Sequence, residues 1–262
     1  MWRKQTTTNS AFVFEGKKDA PVLVLANSLA AAPEMWAAQV ETLKKSYRIL
    51  RYSYQGHGDT PPNQELASIE SLGADLIELL DELQVQQFSF VGLSLGGMLG
   101  LYLAAKIPAR VKALVATNFR PFQNEVTKGQ WNDRIAMVKE KGVAAIVDGT
   151  ADRWLTEGFR KANPAADQMI RQMIARTSAK GFMACAGAVR DYDARKFFPE
   201  ITCPVLIIGG THDMAAPVAE FACVRDALKG ATYLELNAAH LANIECESQY
   251  TEAVSQFLKA NS

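Results

Sequence analysis

Short apolar, β-branched runs alternate along this chain with longer segments of helical period, and that alternation restricts it to a mostly parallel sheet flanked by helices. Residues 21–26 (PVLVLA) are continuously apolar, as a strand buried on both faces must be, and Asn27-Ser28 ends the run. Trp36, Val40 and Leu43 then recur at helical spacing. Residues 47–52 (YRILRY) read as the next strand, followed by the turn-rich GHGDTPP of 56–62. Ile69, Leu72, Leu76, Leu79 and Leu83 mark one face of a helix about four turns long. Residues 88–91 (FSFV) predict a strand running into glycine, 98–107 an apolar helix and 111–117 a further strand.

Beyond residue 121 the strand signals stop. Trp131, Ile135 and Val138, then Ile146, Trp154 and Leu155, then Met169, Ile170, Met173 and Ile174 are helical repeats with no strand between them. The alternation resumes at 204–208 (PVLII), with a helix expected over 219–228, a strand over 232–236 and a last helix presenting Tyr250, Val254, Phe257 and Leu258. The expected organisation is a core made of 1–120 and 200–262, interrupted by a helical cap over 121–199. In such sheets ligands bind beyond the carboxyl ends of the strands, so the residues just after each strand matter most.

Composition narrows what that site serves. Among 262 residues, 28 Lys and Arg balance 28 Asp and Glu. Binding phosphates needs a surplus of basic side chains on one face, so neither nucleic acid nor an anionic membrane is an expected partner. No apolar stretch reaches the roughly 18 residues that would span a bilayer. The N-terminal MWRK and the TTTNS that follows lack the apolar stretch and cleavage site of a signal peptide. Cys185, Cys203, Cys223 and Cys246 lie 18, 20 and 23 residues apart, with no close pair for zinc or a redox disulfide. Cys203 and Cys223, in or beside apolar runs, are expected as small buried hydrophobes. A reducing cytoplasm is the expected location, a small molecule the expected partner, and no metal is expected.

After the strand at 88–91 comes Gly92-Leu93-Ser94-Leu95-Gly96-Gly97, a G-x-S-x-G sequence in the strand-to-helix setting that gives it meaning. A serine forced into so sharp a turn shows its hydroxyl at the edge of the sheet. Gly92 and Gly96 leave room for the turn, and Gly97 and Gly100 let the helix approach the sheet. Ser94 is therefore the candidate nucleophile, and it needs a base, usually histidine. His57 lies between two glycines and His212 follows Thr211 at a strand end; both read as structural. His240 stands between the last strand and the last helix, where the Ser…Asp…His chain order of this motif puts the base. Asp213, in GGTHD after 204–208, is the carboxylate expected to fix the imidazole, with helix capping as its other possible role. Asp191 and Asp193 fall in the helical insert. A tetrahedral intermediate needs N–H donors for its oxyanion. These are expected from Leu95, directly after the nucleophile, and by position from Leu29. Ser28 either lines the pocket or holds the turn.

The segments ANSL at 26–29, RILRYSYQGHGDT at 48–60, VGLSLGG at 91–97, WNDRIAMV at 131–138, RWLTEGFRKANP at 153–164, PVLIIGGTHDMAAP at 204–217 and AAHLANIE at 238–245 together resemble the 3-oxoadipate enol-lactonases of the α/β-hydrolase superfamily. The resemblance extends over about 21–258. It implies an α/β-hydrolase fold with an inserted helical cap, an acyl-enzyme on Ser94, an enol-lactone substrate and no cofactor. A free carboxylate on that substrate needs a cation, and Arg134 is the candidate, with Trp131 as an apolar wall; a solvated helix position is the alternative for Arg134. The chain also departs from its relatives. They usually read Asp-x-Arg-Gly-His-Gly-x-Ser where this chain has Ser53-Tyr54-Gln55-Gly56-His57-Gly58-Asp59-Thr60. Ala30-Ala31 replace a common Gly-Thr, and Asn118-Phe119-Arg120 is bulkier than usual. A general carboxylesterase or perhydrolase would share Ser94, Asp213 and His240, and a hydrolase-fold ligand receptor with little turnover is a further alternative.

Overall fold

A computed structural model describes residues 9–63, 67–228 and 230–261. Residues 1–8, which bear on a leader segment, lie outside the described residues. Seven strands among the described residues form one sheet in the order β1-β3-β2-β4-β5-β6-β7. They are β1 (Phe12–Glu15), β2 (Val22–Ala26), β3 (Arg48–Tyr52), β4 (Phe88–Leu93), β5 (Val111–Thr117), β6 (Val205–Gly210) and β7 (Thr232–Leu236). All pairings are parallel except β1 on β3. The continuous apolar runs are the central strands: β4 and β6 are buried along their whole length. The edge strand β1 escapes the sequence reading because FVFE is too short for a periodicity test. It is held to β3 by Arg48, stacked over the Phe14 ring at 3.6 Å, and by an Arg51–Glu15 ion pair.

Helices cover both faces, the first of them α1 (Ala37–Leu43). On α2 (Ile69–Glu82), Ser68 and Ser71 form a reciprocal cap, and Ile69, Leu72, Leu76 and Leu79 are buried. The following α3 (Leu95–Lys106) is buried almost all round, which is why it reads as uniformly apolar rather than amphipathic. Its close seat on the sheet depends on glycine. A Cβ at Gly100 would lie 2.6 Å from Leu114 Cδ1, and one at Gly96 would collide with the Ala26 carbonyl.

Between β5 and β6 the chain passes through α4 (Glu125–Lys141), α5 (Val147–Trp154), α6 (Glu157–Ala162), α7 (Pro164–Ala175) and α8 (Ala179–Arg190). Side chains of Asn124, Thr156 and Ser178 cap α4, α6 and α8, and Pro164 opens α7, so the boundaries follow local chemistry. The α8 helix sits directly on the loop after β3. Ser178 N–H donates to the Gly56 carbonyl at 2.8 Å, and Gly56 meets Gly181 with no room for a side chain on either.

Some expectations shift. The strand expected from residue 47 begins at Arg48. The helix expected over 219–228 is a 3-10 turn at Val218–Phe221 followed by the short α9 (Ala222–Ala227). Cys203 and Cys223 are only half-buried, and Cys185 is the cysteine that is fully buried. The chain closes with α10 (Ala242–Glu245) and α11 (Glu247–Ala260), the latter burying Tyr250, Val254 and Leu258. Among the described residues no helix is long and apolar enough to cross a membrane.

Because the obstacle at Gly96 is backbone, Gly96→Ala cannot be absorbed by a side-chain rotation. It is expected to cost about 1–3 kcal/mol, read as a lower urea midpoint with an unchanged slope.

Candidate active site

Ser94 is the residue on which β4 ends and α3 begins, and its backbone is forced to φ 58°, ψ −114°. A side chain rarely adopts that conformation, and here it is fixed from both sides. Ser94 N–H donates to Thr117 O at 2.8 Å, and Gly96 N–H donates to Asn27 O at 3.0 Å. A Cβ at Gly92 would strike the Gly96 carbonyl. Ser94 is partly exposed while its neighbours in the turn are buried, so the strain presents the hydroxyl at the carboxyl edge of the sheet.

Asp213 and His240 come to the same edge from the loops after β6 and β7. His240 Nδ1 donates to Asp213 Oδ2 at 2.8 Å, with both side chains almost wholly buried. That bond fixes the tautomer and leaves Nε2 free to accept a proton. The carboxylate is fully engaged: Oδ1 accepts the N–H groups of Ala215 at 2.8 Å and Ala216 at 3.0 Å, and Oδ2 also accepts Asn118 Nδ2 at 2.9 Å. Burial pushes the Asp213 carboxyl up, but the adjacent imidazole, its hydrogen bond, the Asn118 amide and the Ala216 N–H outweigh burial and hold it below the usual carboxylate range. Asp213 therefore stays an anion beside His240. The two loops touch directly, since a Cβ at Gly210 would collide with the Ala239 and Ala238 carbonyls.

One pocket contains Ser94 and His240 together with Ser28, Leu29, Trp131 and Arg134. Leu29 N–H and Leu95 N–H, the expected oxyanion donors, have no protein acceptor among the described residues. Their surroundings are rigid. Asn27 Nδ2 donates to Tyr52 O at 3.1 Å, and its Oδ1 accepts Trp36 Nε1 at 3.1 Å. Ala30, at φ 63°, donates its N–H to His57 Nε2 at 3.0 Å, and His57 Nδ1 donates to Gln55 O at 2.8 Å. His57 thus orders the loop that carries Leu29. His212 is exposed, 2.8 Å from Asn237, and lies apart from the pocket.

Arg134 is not a solvated helix residue. Its guanidinium lies 4.9 Å from the Trp131 ring centroid and 5.8 Å from that of Phe182, and it donates to Thr150 Oγ1 at 2.9 Å. Among the described residues it has no carboxylate partner. Burial, and secondarily the charge of Arg153, lowers its pKa to about 10, so it remains a cation at neutral pH. Arg120, on the same wall, is instead neutralised by Glu220 at 2.6 Å.

Three supporting residues escaped the sequence reading. Asn118 was noted only as bulky, yet it holds Asp213. Trp154 stacks on the His240 ring with centroids 5.9 Å apart. Glu245 accepts Ala239 N–H at 2.7 Å and Thr156 N–H at 3.1 Å, fastening the His240 loop to the start of α6. The one available signal was position: Asn118 follows a central strand, where site residues collect.

The sheet order, the strained serine between β4 and α3, and the aspartate and histidine after β6 and β7 define a class. The family described as alpha/beta hydrolase fold matches residues 21–246, and the chain belongs to it. Within that family it is a hydrolase similar to the 3-oxoadipate enol-lactonases. It is 32% identical to 3-oxoadipate enol-lactonase 2 of Acinetobacter baylyi over 93% of this chain and 91% of the relative. The crystal structure of the enol-lactonase from Burkholderia xenovorans superposes with a TM-score of 0.92 at 34% identity, covering 95% of this chain and 96% of that one. A putative carbamate hydrolase RutD of Rhizobium rhizogenes is 26% identical over 94% of this chain and 95% of its own length.

Burial lowers the His57 pKa to about 4 against the Gln55 hydrogen bond, from an ordinary 6.5. The unfolded chain therefore takes up this proton below about pH 6.5 while the folded one does not, so stability falls as pH drops from there to about 4, by up to about 3 kcal/mol. Urea titrations at neutral and acid pH should show wild type losing more stability than His57→Gln. An equal loss would place the acid sensitivity elsewhere.

Proposed function

We propose that this protein is a serine hydrolase that opens 3-oxoadipate enol-lactone to 3-oxoadipate, with residues 121–199 acting as a cap over the pocket. The reading rests on one observation above others: a half-buried guanidinium without an acid partner among the described residues, Arg134, lines the same pocket as Ser94 and His240. A cation taken partly out of water is costly unless an anion answers it, and a lactone with a free carboxylate supplies the anion.

In this mechanism the substrate carboxylate pairs with Arg134 and the ring lies against Trp131. Ser94 Oγ attacks the lactone carbonyl carbon as His240 Nε2 takes the hydroxyl proton. Asp213 stabilises the imidazolium that results. The carbonyl oxygen becomes an oxyanion facing the Leu29 and Leu95 N–H groups. The ring C–O bond then breaks. The departing oxygen is that of an enol, a better leaving group than an alkoxide, and it receives the proton held on His240 and tautomerises to the ketone. Water, deprotonated by the same histidine, attacks the acyl-enzyme, and Ser94 is restored as the new carboxylate leaves.

The test follows the loss of enol-lactone absorbance. Ser94→Ala should abolish turnover, and Asp213→Asn should lower kcat by about 10³–10⁴-fold. Arg134→Leu should raise KM about 10–100-fold, the worth of a charged hydrogen bond. An Arg134→Leu enzyme with wild-type KM would remove the carboxylate assignment. The likeness to the carbamate hydrolase supports a second reading on the same residues. Turnover of a carbamate, with none of the enol-lactone, would select it, and turnover of simple aryl esters alone would make the protein a general esterase.

A further inference from the structure

Outside the catalytic pocket the cavity widens into a vestibule between α4 and α5. It shares Arg120, Gln123, Trp131, Arg134 and Ala215 with the pocket and adds Arg153. The three arginines differ in how their charge is met. Arg120 is paired with Glu220. Arg134 has only the neutral Thr150 hydroxyl. Arg153 has no carboxylate within ion-pair distance among the described residues. Its neighbour Asp152 accepts Arg160 at 2.8 Å and Arg171 at 2.7 Å, and acts on Arg153 only through its charge. Asp133 lines the vestibule too, but it is exposed and pairs with neither guanidinium among the described residues.

Arg153 is half-buried, and burial lowers its pKa; its charge in turn adds to the burial that lowers that of Arg134. Two cations thus face one cavity, and neither has an acid partner among the described residues. The enol-lactone carries a single acid, and Arg134 already answers it. Arg153 is therefore in excess of what the inner pocket needs.

We propose that the vestibule is an outer carboxylate subsite, in which Arg153 captures the acid end of an incoming ester or lactone before it passes inward to Arg134 beside Ser94. The subsite rests on the reading of the protein as an acyl hydrolase of acid-bearing substrates, but not on the enol-lactone itself. Arg153 is a capture residue: it acts on the approach of the anion, through a field screened over about 10 Å at 0.1 M salt, and has no part in bond making.

Two aryl esters of equal acyl length test this by nitrophenolate release: 4-nitrophenyl hydrogen succinate, an anion, and 4-nitrophenyl butanoate, which is neutral. The quantity read is the ratio of their kcat/KM values, which cancels general damage to the fold. Wild type should favour the succinate ester, and added salt should reduce the ratio. In Arg153→Gln the ratio should fall by about threefold or more and lose most of its salt dependence, with Arg153→Lys in between. A ratio equal to wild type in Arg153→Gln, or a wild type indifferent to the acid, overturns the subsite. For a wild type that cleaves neither ester, titration of Trp131 and Trp154 fluorescence with adipate decides, and equal affinity in wild type and Arg153→Gln is the negative result. Cleavage of the succinate ester without turnover of the enol-lactone would sink the lactonase reading and leave the subsite standing.

Discussion

One backbone contact holds the site together: the first turn of α3 is pressed onto the end of β2, with the Gly96 Cα against the Ala26 carbonyl and the Gly96 N–H on Asn27 O at 3.0 Å. It ties the turn that bears Ser94 to the loop that bears Leu29. The polar groups around it are then used up internally, the Asn27 amide on Tyr52 and Trp36 and the Ala30 N–H on His57. What remains uncommitted is the Leu29 N–H, next to a serine with its hydroxyl in the pocket. Donors fixed before a charge develops cost no reorganisation when it appears, and here the fixing is done by buried, mutually satisfied groups.

The elbow, the strand order implied by alternating runs and the aspartate and histidine after the last strands were legible because each is a local pattern. A strand buried on both faces has no polar residues, and a tight strand-to-helix turn needs glycines at fixed offsets. What was not legible is lateral. His57 and Ala30 are 27 residues apart, and Asn118 reaches Asp213 across 95. Nothing within either segment announces its partner. The edge strand β1 was missed because its pairing with β3, rather than its own four residues, makes it a strand.

The bulky Asn118-Phe119-Arg120 segment shows how a departure from family pattern gains a reason once neighbours are known. Asn118 sits at φ 47°, a conformation that Asn tolerates better than most residues, and from there its amide reaches Asp213. Phe119 packs on Phe221 with centroids 5.3 Å apart, and Arg120 closes on Glu220. The zero net charge of the chain likewise conceals an uneven distribution: Asp81, Asp148 and Asp191 are matched to arginines at the surface, while Arg134 and Arg153 have no acid partner among the described residues.

Glu245 gives the molecule an indivisibility that its alternating architecture hides. One carboxylate accepts N–H groups from the His240 loop and from Thr156, and Leu241 N–H donates to Trp154 O at 3.0 Å. The helices between β5 and β6 are therefore a fourth wall of the histidine's own mounting. A chimaera that exchanged those helices for a relative's would loosen the mounting of His240 unless the acceptor and its two donors travelled together. The loop that carries His240 and the helices above it are inherited as a single unit.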